Sequence, residues 1–420
     1  MNILILGGGG REHALAWAVK QNPKCDRLIV APGNAGIAEI AECAQLDIND
    51  GGAVTEFAQE NSIDLVIVGP EAPLVAGVSD RLREAGVRCF GPSQAAAELE
   101  ASKSFTKAVC DASGAPTAAY ARFEDAAPAR AHVEAQGAPI VIKADGLAAG
   151  KGVIVAMDVQ TALDAVDDIF GGAFGSAGAA VVIEEFMTGE EASFFVMCDG
   201  ETALPIGTAQ DHKRVGEGDT GPNTGGMGAY SPAPILSDAV AAQTMEEIIR
   251  PTLKEMARRG SPYVGVLYAG LMIEDGKARL VEYNARFGDP ECQALMLRLG
   301  GQVLDLIEAC VDGRLAGMTV NWADDHTMTV VMAANGYPGS YQKGTEIRGL
   351  AALKEDGNRV MFHAGTAAKD GKVLATGGRV LNATARGATL QEARDRAYAL
   401  IDALDWPEGF CRRDIGHRAL

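Results

Sequence analysis

The sequence predicts an α/β protein whose N-terminal part is a parallel sheet covered by helices. Short apolar runs at residues 2–6, 28–31 and 64–68 each end in a turn rich in glycine or proline, and apolar residues at helical spacing follow at 12–19. Alternation of strand, turn and helix is typical of parallel sheets. Because ligands of such sheets bind beyond the carboxyl ends of the strands, these turns are candidate binding segments.

The rest of the chain predicts two further regions, so we expect domains at residues 1–102, 103–323 and 324–420. The middle region predicts strands at 139–143, 152–156, 180–184 and 192–197, a helix at 237–259, and a hairpin of strands at 266–273 and 278–283. The last region predicts strands at 328–333, 360–364 and 378–381 and a helix at 390–404.

Composition and charge disfavour several classes of protein. The chain has 37 Lys and Arg against 56 Asp and Glu, and the net charge of −19 disfavours binding to nucleic acid or to an anionic membrane. Hydrophobic residues at 47% and charged residues at 22% are typical of a folded globular protein. No apolar run approaches the ~18 residues of a membrane span. None of the eight cysteines forms a CxxC pair, so we expect a cytoplasmic protein with reduced thiols.

The turn at residues 143–152 carries three glycines and two lysines between two predicted strands. Backbone N–H groups of such a turn bind phosphate oxygens, and the lysines neutralise their charge. The turn is not a P-loop, because only three residues separate Gly146 from Gly150 and because Gly152 follows Lys151. The alternative interpretation is a flexible hairpin with solvated lysines.

Residues 211–228 show no apolar periodicity and end in a run with three glycines. Long segments of this kind inside a compact domain are usually functional or disordered. The mixture of Asp, His, Lys, Arg and Thr favours a loop that covers a substrate. His212 is expected to be an ordinary loop residue and not a catalyst.

Glu282 and Asn284 share one face of a predicted strand end, because side chains of a strand alternate. Carboxylate and amide oxygens are the hard ligands that suit Mg²⁺. Arg286 follows in the next turn, where it can hold a transferring phosphoryl group. The alternative is an exposed strand end with a salt bridge.

Four glycines at residues 7–10 follow the first strand, as in a dinucleotide-binding turn. Counted from Gly7 or Gly8, however, the third glycine of that fingerprint falls on Glu12 or His13. The spacing therefore argues against a nicotinamide-dependent oxidoreductase. Glycines directly before a helix still predict an anion site at the helix N-terminus, where a substrate phosphate can bind.

These motifs, in this order, resemble the ATP-grasp superfamily and, within it, the phosphoribosylamine–glycine ligase (glycinamide ribonucleotide synthetase) family of purine biosynthesis. The resemblance covers essentially the whole chain and implies a Rossmann-like, pre-ATP-grasp N-terminal domain, a two-lobed ATP-grasp domain with its small lobe at about 118–190, and a small C-terminal α+β domain. It is carried by residues 9–14, 31–36, 68–74, 143–152, 210–214, 220–232, 286–293 and 411–416.

The resemblance implies an ATP-dependent ligase that joins glycine to 5-phosphoribosylamine through a glycyl phosphate, giving glycinamide ribonucleotide, ADP and phosphate. No enzyme nucleophile is needed, so catalysis would depend on positioning and charge stabilisation. The implied cofactors are ATP, as co-substrate, and Mg²⁺ or Mn²⁺. The implied partners are small molecules, and we expect a monomer, with a dimer as the alternative.

The resemblance also implies roles for residues at matching positions. The ATP phosphates would be bound by Lys103, Lys143, Gly146, Gly150, Lys151 and Gly152. Adenine would be held by the backbone at Glu184, Glu185, Phe186 and Met187, the ribose by Glu191, and the metal by Glu282 and Asn284. The catalytic residues would be Arg286, Lys143 and Asp289. The substrates would be bound by Gly9, Gly10, Arg11, Asn34, Glu71, Asp211 and Arg379.

The chain departs from the wider superfamily in one respect. Many members carry a second acidic metal ligand on the preceding strand, but residues 268–272 contain no acid and the next one is Glu274. The source of a second metal site is therefore open.

Two other functions are alternatives to this ligase: an ATP-grasp ligase for another carboxylate and amine, and a non-catalytic ATP-binding sensor. The presence of Glu282, Asn284 and Arg286 together favours an active enzyme.

Overall fold

The computed structural model describes residues 1–148 and 152–420. In that part of the chain, no helix combines the length and the apolar character needed to cross a membrane. The N-terminal region contains strands β1 (Asn2–Gly7), β2 (Arg27–Pro32), β3 (Glu42–Cys43), β4 (Leu65–Val68) and β5 (Arg88–Phe90), and helices α1 (Gly10–Lys20), α2 (Gly51–Glu60), α3 (Glu71–Val75), α4 (Val78–Glu84) and α5 (Gln94–Ala101). The strands form a parallel sheet, as the sequence predicts, and the structure shows their order to be β3-β2-β1-β4-β5.

The strand order reverses at β1, and this reversal leaves a crevice at the carboxyl ends of β1 and β4. The side chain of Glu12 lies buried in that crevice. A Cβ atom at Gly7, the last residue of β1, or at Gly69, directly after β4, would clash with the Glu12 side chain. Glycine at both strand ends is therefore what makes room for this carboxylate.

Helix α6 (Lys103–Ser113) comes next, and its buried apolar residues join the larger core formed with the N-terminal region. A small lobe with its own apolar core follows. Its elements are β6 (Tyr120–Phe123), α7 (Ala126–Gln136), β7 (Ile140–Ala144), β8 (Val153–Ala156), α8 (Val159–Asp168) and β9 (Val181–Glu185). The strands form an antiparallel sheet in the order β6-β9-β7-β8. The glycine- and lysine-rich turn joins β7 to β8, as predicted; Gly150 and Lys151 lie outside the described residues.

The large lobe follows directly. Its strands are β10 (Glu190–Asp199), β11 (Ala203–Asp211), β12 (Arg214–Gly216), β13 (Thr220–Asn223), β14 (Gly228–Ser231), β15 (Val264–Glu274) and β16 (Lys277–Asn284), and its helices are α9 (Asp238–Thr244), α10 (Arg250–Arg258), α11 (Glu291–Leu299) and α12 (Gln302–Val311). The main sheet begins in the order β16-β15-β10-β11-β14. The predicted hairpin is present, because β15 and β16 pair antiparallel.

The predicted helix at 237–259 is divided into α9, a π-helical turn at Met245–Ile249, and α10. Ser237 caps its start, since the Ser237 hydroxyl accepts a backbone N–H of the first turn at 3.4 Å. Gly260, with φ +79°, follows its end. Pro251 has no N–H for the preceding turn and its ring crowds a carbonyl there, which accounts for the widened turn.

Residues 211–228 are not the irregular loop that the sequence predicts. The strands β12 and β13 form a hairpin, and β14 joins the main sheet. Strands of three or four residues, rich in glycine, give no apolar alternation from which to recognise them. The C-terminal segment fastens the hairpin: Arg412 donates to Asp219 at 2.9 Å, and the Gly218 N–H donates to Asp414 at 2.8 Å.

The C-terminal region extends the same main sheet. Its elements are β17 (His326–Ala334), β18 (Thr345–Ile347), β19 (Arg359–His363), β20 (Thr366–Lys369), β21 (Lys372–Ala375), β22 (Arg379–Gly387), α13 (Leu390–Asp402) and β23 (Gly409–Phe410). The strand β17 pairs with β14 and with β22, and β22 pairs with β19. The strands β18, β21 and β20 form a separate small sheet. This mixture of sheet and helix confirms the predicted α+β region.

Candidate active site

The connection between the two lobes, residues 186–189, leads from β9 in the small sheet to β10 in the main sheet. Glu184 and Glu185 end the strand before it, and Met187 within it is buried. Gly189 has φ +124°, and a side chain there would clash with the backbone of β15. The segment predicted to hold adenine therefore lies between the lobes, and its contact with the base remains a prediction.

Two lysines, one from α6 and one from the small lobe, converge on Glu184. The Lys143 ammonium lies 2.8 Å from Oε2 of Glu184, and the Lys107 ammonium lies 3.2 Å from Oε1. All three side chains are at most 4% exposed. Lys143 also donates to the Val281 carbonyl of β16 at 3.2 Å, so it reaches from the small sheet to the large lobe.

The predicted phosphate-binding turn is fastened to the start of α6. The Lys103 ammonium donates to the Gly146 carbonyl at 3.0 Å, and the Lys103 N–H donates to the Asp145 carbonyl at 3.0 Å. On the other side of the turn, the Gly152 carbonyl accepts a backbone N–H of β7 at 2.8 Å. Burial lowers the pKa of Lys103, although Glu282 nearby opposes that shift.

Glu282 is the point on which the cations converge. Its side chain in β16 is 33% exposed, and the Lys213 ammonium lies 3.9 Å from Oε1. Burial raises the pKa of Glu282, but Lys213, Lys143, Lys103 and Arg286 together hold it below its usual value. The carboxylate is therefore ionised at neutral pH, as a metal ligand must be.

Asn284 ends β16 on the same face as Glu282. Gly270 lies opposite Glu282 in β15, and even a Cβ there would come within 3.4 Å of the Glu282 side chain. In residues 1–148 and 152–420, no group of three or more His, Cys, Asp or Glu is arranged to hold a metal ion. The protein thus offers two oxygen donors, which fits Mg²⁺ bound mainly by phosphate oxygens and water.

Arg286 is held between two carboxylates. Its guanidinium lies 2.8 Å from Glu100 and 3.3 Å from Glu71. Burial alone would lower the pKa of Arg286, but Glu100 and Glu71 raise it above its usual value. Glu100 also accepts the Ala285 N–H at 2.7 Å, so one carboxylate fixes both the turn and the guanidinium.

Asp289 joins the N-terminal turn to the C-terminal region. It accepts the Arg11 N–H at 3.3 Å and the Gln293 amide at 2.9 Å, and Arg379 lies 3.4 Å from its carboxylate. Arg379 also donates to the carbonyls of Asp289 and Gly225, at 2.7 and 2.6 Å. Burial raises the pKa of Asp289, but Arg379 and Arg11 hold it below its usual value. Three of the stretches that carry the resemblance therefore meet here, together with Arg379.

Two N–H groups at the N-terminus of α1, where the sequence predicts an anion site, have carboxylate partners within the protein. The Gly9 N–H donates to Glu12 at 2.7 Å, and the Arg11 N–H donates to Asp289. The reason is that Glu12, three residues after the cap, folds back on it in the manner of a capping box. A side chain at Gly10 would clash with amide groups of α11 and β22, so the backbone is packed closely here.

Asn34 uses its side chain within the protein. Its amide nitrogen donates to the carbonyls of Gly8 at 2.9 Å and His363 at 2.8 Å, and its oxygen accepts the Ile37 N–H at 2.9 Å. Both amide hydrogens are thus engaged among the described residues. The predicted contact of Asn34 with substrate stays a prediction.

Asp211 ends β11 and is buried beside charged neighbours. Burial raises its pKa to about 8, and Lys213 opposes that shift while Glu291 and Glu191 add to it. Lys213 forms an ion pair with Glu191, the predicted ribose ligand. His212 is fully buried, and its Nε2 accepts a backbone N–H near the C-terminus at 3.2 Å, as an ordinary structural residue.

Comparison with known proteins gives the family. Models of phosphoribosylglycinamide synthetase match its N domain to residues 1–100, its ATP-grasp (A) domain to 101–292 and its C domain to 327–418. A phosphoribosylamine–glycine ligase of Mesorhizobium japonicum is 60% identical over 420 residues, which are 100% of this chain and 99% of that protein. The chain belongs to the phosphoribosylglycinamide synthetase family. A phosphoribosylamine–glycine ligase of Vibrio cholerae is 55% identical over 424 residues, with 100% and 99% coverage.

Solved structures of the phosphoribosylglycinamide synthetase family include a similar molecule. The crystal structure of a phosphoribosylamine–glycine ligase from Thermotoga maritima matches with a TM-score of 0.86 and 32% identity, covering 99% of this chain and 100% of that one. The biotin carboxylase domain of a 2-oxoglutarate carboxylase from Hydrogenobacter thermophilus matches with a TM-score of 0.74, 12% identity, and 97% and 91% coverage, and shares the fold alone. The predicted ATP-grasp fold is confirmed.

In this member of the phosphoribosylglycinamide synthetase family, sequence reasoning missed three residues that contact predicted site residues: Glu100, Lys107 and Asn382. The amide of Asn382 packs against Gly10, although Asn382 belongs to β22, near the other end of the chain. Nothing near Glu100 in the sequence distinguishes it from Glu98 on the same helix. Lys107 gave one weak signal, since it lies one helical turn after Lys103 on the buried side of α6.

Proposed function

We propose that this chain is the ATP-dependent ligase that joins glycine to 5-phosphoribosylamine, giving glycinamide ribonucleotide, ADP and phosphate. Relatives with the name phosphoribosylamine–glycine ligase are 55–60% identical over the whole chain. The observation that carries the proposal is the convergence of four cations, Lys103, Lys143, Lys213 and Arg286, on the carboxylate of Glu282. Cations gathered around a carboxylate that could bind a metal suit a nucleoside triphosphate with its metal ion.

The reaction has two steps, and no side chain is covalently modified in either. A carboxylate oxygen of glycine attacks the γ-phosphorus of ATP; the new O–P bond forms as the bond to the β,γ-bridging oxygen breaks, and ADP leaves. The amine nitrogen of 5-phosphoribosylamine then attacks the acyl carbon. The C–N bond forms, the C–O bond to phosphate breaks, and the nitrogen loses one proton.

Charge stabilisation is the main contribution of the protein to the first step. Lys143 and Lys103 bind the ATP phosphates, and Arg286 binds the transferring phosphoryl group. Since Glu100 already holds the guanidinium at 2.8 Å, little reorganisation is needed as charge develops. Glu282 and Asn284 would hold Mg²⁺ or Mn²⁺, which neutralises phosphate charge when bound.

We assign Asp289 and Asp211 to the two substrates other than ATP. Asp289 lies where the N-terminal and C-terminal regions meet, with Arg11 and Arg379 beside it. We assign the amine of 5-phosphoribosylamine to this junction and its phosphate to the flanking arginines. Asp211, which ends β11 on the main sheet, is assigned to the binding of glycine.

Other features are proposed on the sequence alone. These are the division into domains at 1–102, 103–323 and 324–420, a cytoplasmic location, a monomeric state, and a role for Gly150 and Lys151 in covering the phosphates.

Phosphate release from ATP is expected to need both glycine and 5-phosphoribosylamine for full turnover, because the acyl phosphate is consumed only by the amine. The measurement is phosphate release with each substrate omitted in turn, together with detection of glycinamide ribonucleotide. Equal ATPase activity with neither substrate would contradict the ligase assignment and support an ATP-binding sensor. Full turnover with a different carboxylate and amine would reassign the substrates.

Lys143→Ala is expected to weaken ATP binding. A buried lysine on a phosphate makes a charge-assisted contact of about 1.5–3 kcal/mol, which corresponds to roughly 10- to 150-fold in Kd. Isothermal titration calorimetry with Mg-ATP measures the effect, and the melting temperature of the variant checks its fold. An unchanged Kd together with an unchanged rate would show that Lys143 has a purely structural role.

A further inference from the structure

Lys107 is a buried cation to which the reaction above gives no task. Its ammonium donates to the Thr117 hydroxyl at 2.8 Å and to the Ala118 carbonyl at 3.0 Å. It lies 3.2 Å from Oε1 of Glu184 as an ion pair without an aligned hydrogen bond, so that oxygen keeps no hydrogen-bond donor among the described residues. Two of its three N–H groups are therefore used within the protein, and the third faces the Glu184 carboxylate.

The ammonium group of Lys143 has fewer partners than that of Lys107. Its ammonium has Glu184 at 2.8 Å and the Val281 carbonyl at 3.2 Å as partners in the described residues. Both lysines therefore compensate the same buried carboxylate, but only Lys143 retains an N–H group for a phosphate oxygen.

The charge count of this triad decides how freely Lys143 can leave Glu184. Two ammonium groups and one carboxylate give a net charge of +1, and all three side chains are at most 4% exposed. Without Lys107, the pair of Lys143 and Glu184 would have no net charge, and Lys143 would be the cation that compensates Glu184. Moving Lys143 to a phosphate would then leave a buried carboxylate with no cation beside it, which is strongly unfavourable.

We propose that Lys107 is a positioning residue, which neutralises Glu184 so that Lys143 can turn to the ATP phosphates. Glu184 supports the arrangement in return, because burial lowers the pKa of Lys107 and this carboxylate opposes the shift. The inference rests on the proposed contact between Lys143 and ATP. In this arrangement Lys107 of helix α6 does not contact the nucleotide. It sets the positive charge that Lys143 can offer to the phosphates.

The test compares Kd values for Mg-ATP by calorimetry in a double-mutant cycle. Lys107→Met gives the triad a net charge of zero and is expected to weaken ATP binding about tenfold or more. Adding Glu184→Gln returns the net charge to +1 and is expected to restore Kd to within about threefold of the wild-type value. Lys254→Met removes an exposed lysine of α10 as the matched control and leaves Kd unchanged.

A purely structural lysine would behave differently, since the second substitution would not repair the first. An unchanged Kd in Lys107→Met, or a double variant that binds as weakly as Lys107→Met, overturns the inference. If Lys107→Met proves too unstable to measure, the double variant decides alone, and a loss greater than about tenfold in its ATP affinity overturns the inference. Lys143→Ala in the same assay separates the two proposals: no effect there removes the proposed ATP contact, whereas an effect at Lys143 with none at Lys107 removes only this inference.

Discussion

Glu282→Gln is expected to lower kcat by about 10²–10³-fold, because a ligand that helps neutralise the transferring phosphoryl group is worth several kcal/mol. Glutamine keeps the size and hydrogen bonding of the side chain but removes its charge. Four cations remain around the position, so the KM for ATP is expected to change little. Higher magnesium concentrations are expected to restore part of the rate, since a weakened metal site needs more metal to fill it.

The fold is expected to survive this substitution, because the Glu282 side chain faces a cleft and is 33% exposed. Turnover and melting temperature are measured together, with Glu201→Gln in an exposed turn as the control. A large drop in melting temperature with near-normal specific activity would identify Glu282 as a structural carboxylate. The metal assignment made here would then be wrong.

Arg286→Lys is also expected to lower kcat by about 10²–10³-fold, the cost of removing one preorganised donor from a transition state. Lysine retains the positive charge, so neither Glu100 nor Glu71 is left uncompensated. It lacks the planar fork that reaches Glu100 at 2.8 Å and Glu71 at 3.3 Å while presenting further N–H groups to a ligand. The loss is therefore expected in kcat more than in the KM for ATP.

Arg258→Lys provides the control for this second substitution, because Arg258 is an exposed arginine of α10 paired only locally with Glu255. Steady-state kinetics with ATP varied and both other substrates saturating measure the effect. If kcat is retained and only the KM for ATP rises, Arg286 contributes to nucleotide binding and not to phosphoryl transfer.

The parts of this molecule that the sequence predicts are those whose evidence is local. The hairpin of β15 and β16 is an example: its turn contains Asp275 and Gly276, both of which adopt positive φ, as a tight hairpin turn requires. The placement of Glu282 and Asn284 on one face is also predicted locally, from the alternation of side chains along a strand. A run of apolar residues bounded by such turns identifies a strand without knowledge of its partners.

What the sequence does not predict depends on which distant elements meet. Glu100 and Arg286 are 186 positions apart, and their contact exists only because α5 packs beside the end of β16. The capping of α1 by Glu12 was missed for a different reason. A glutamate near a helix start is common, and only the tertiary placement of Asp289 shows that both N–H groups are already engaged.

The strand β14 lies between β11 of the large lobe and β17 of the C-terminal region, so one hydrogen-bonded sheet crosses the predicted boundary at 323/324. Cutting the chain there would leave β14 as a bare sheet edge with the buried ring of Tyr230 uncovered. Unpaired edges are templates for pairing with other chains, and hence for aggregation. The half of the molecule that binds ATP therefore depends for its solubility, as well as for its shape, on a strand supplied from the far end of the chain.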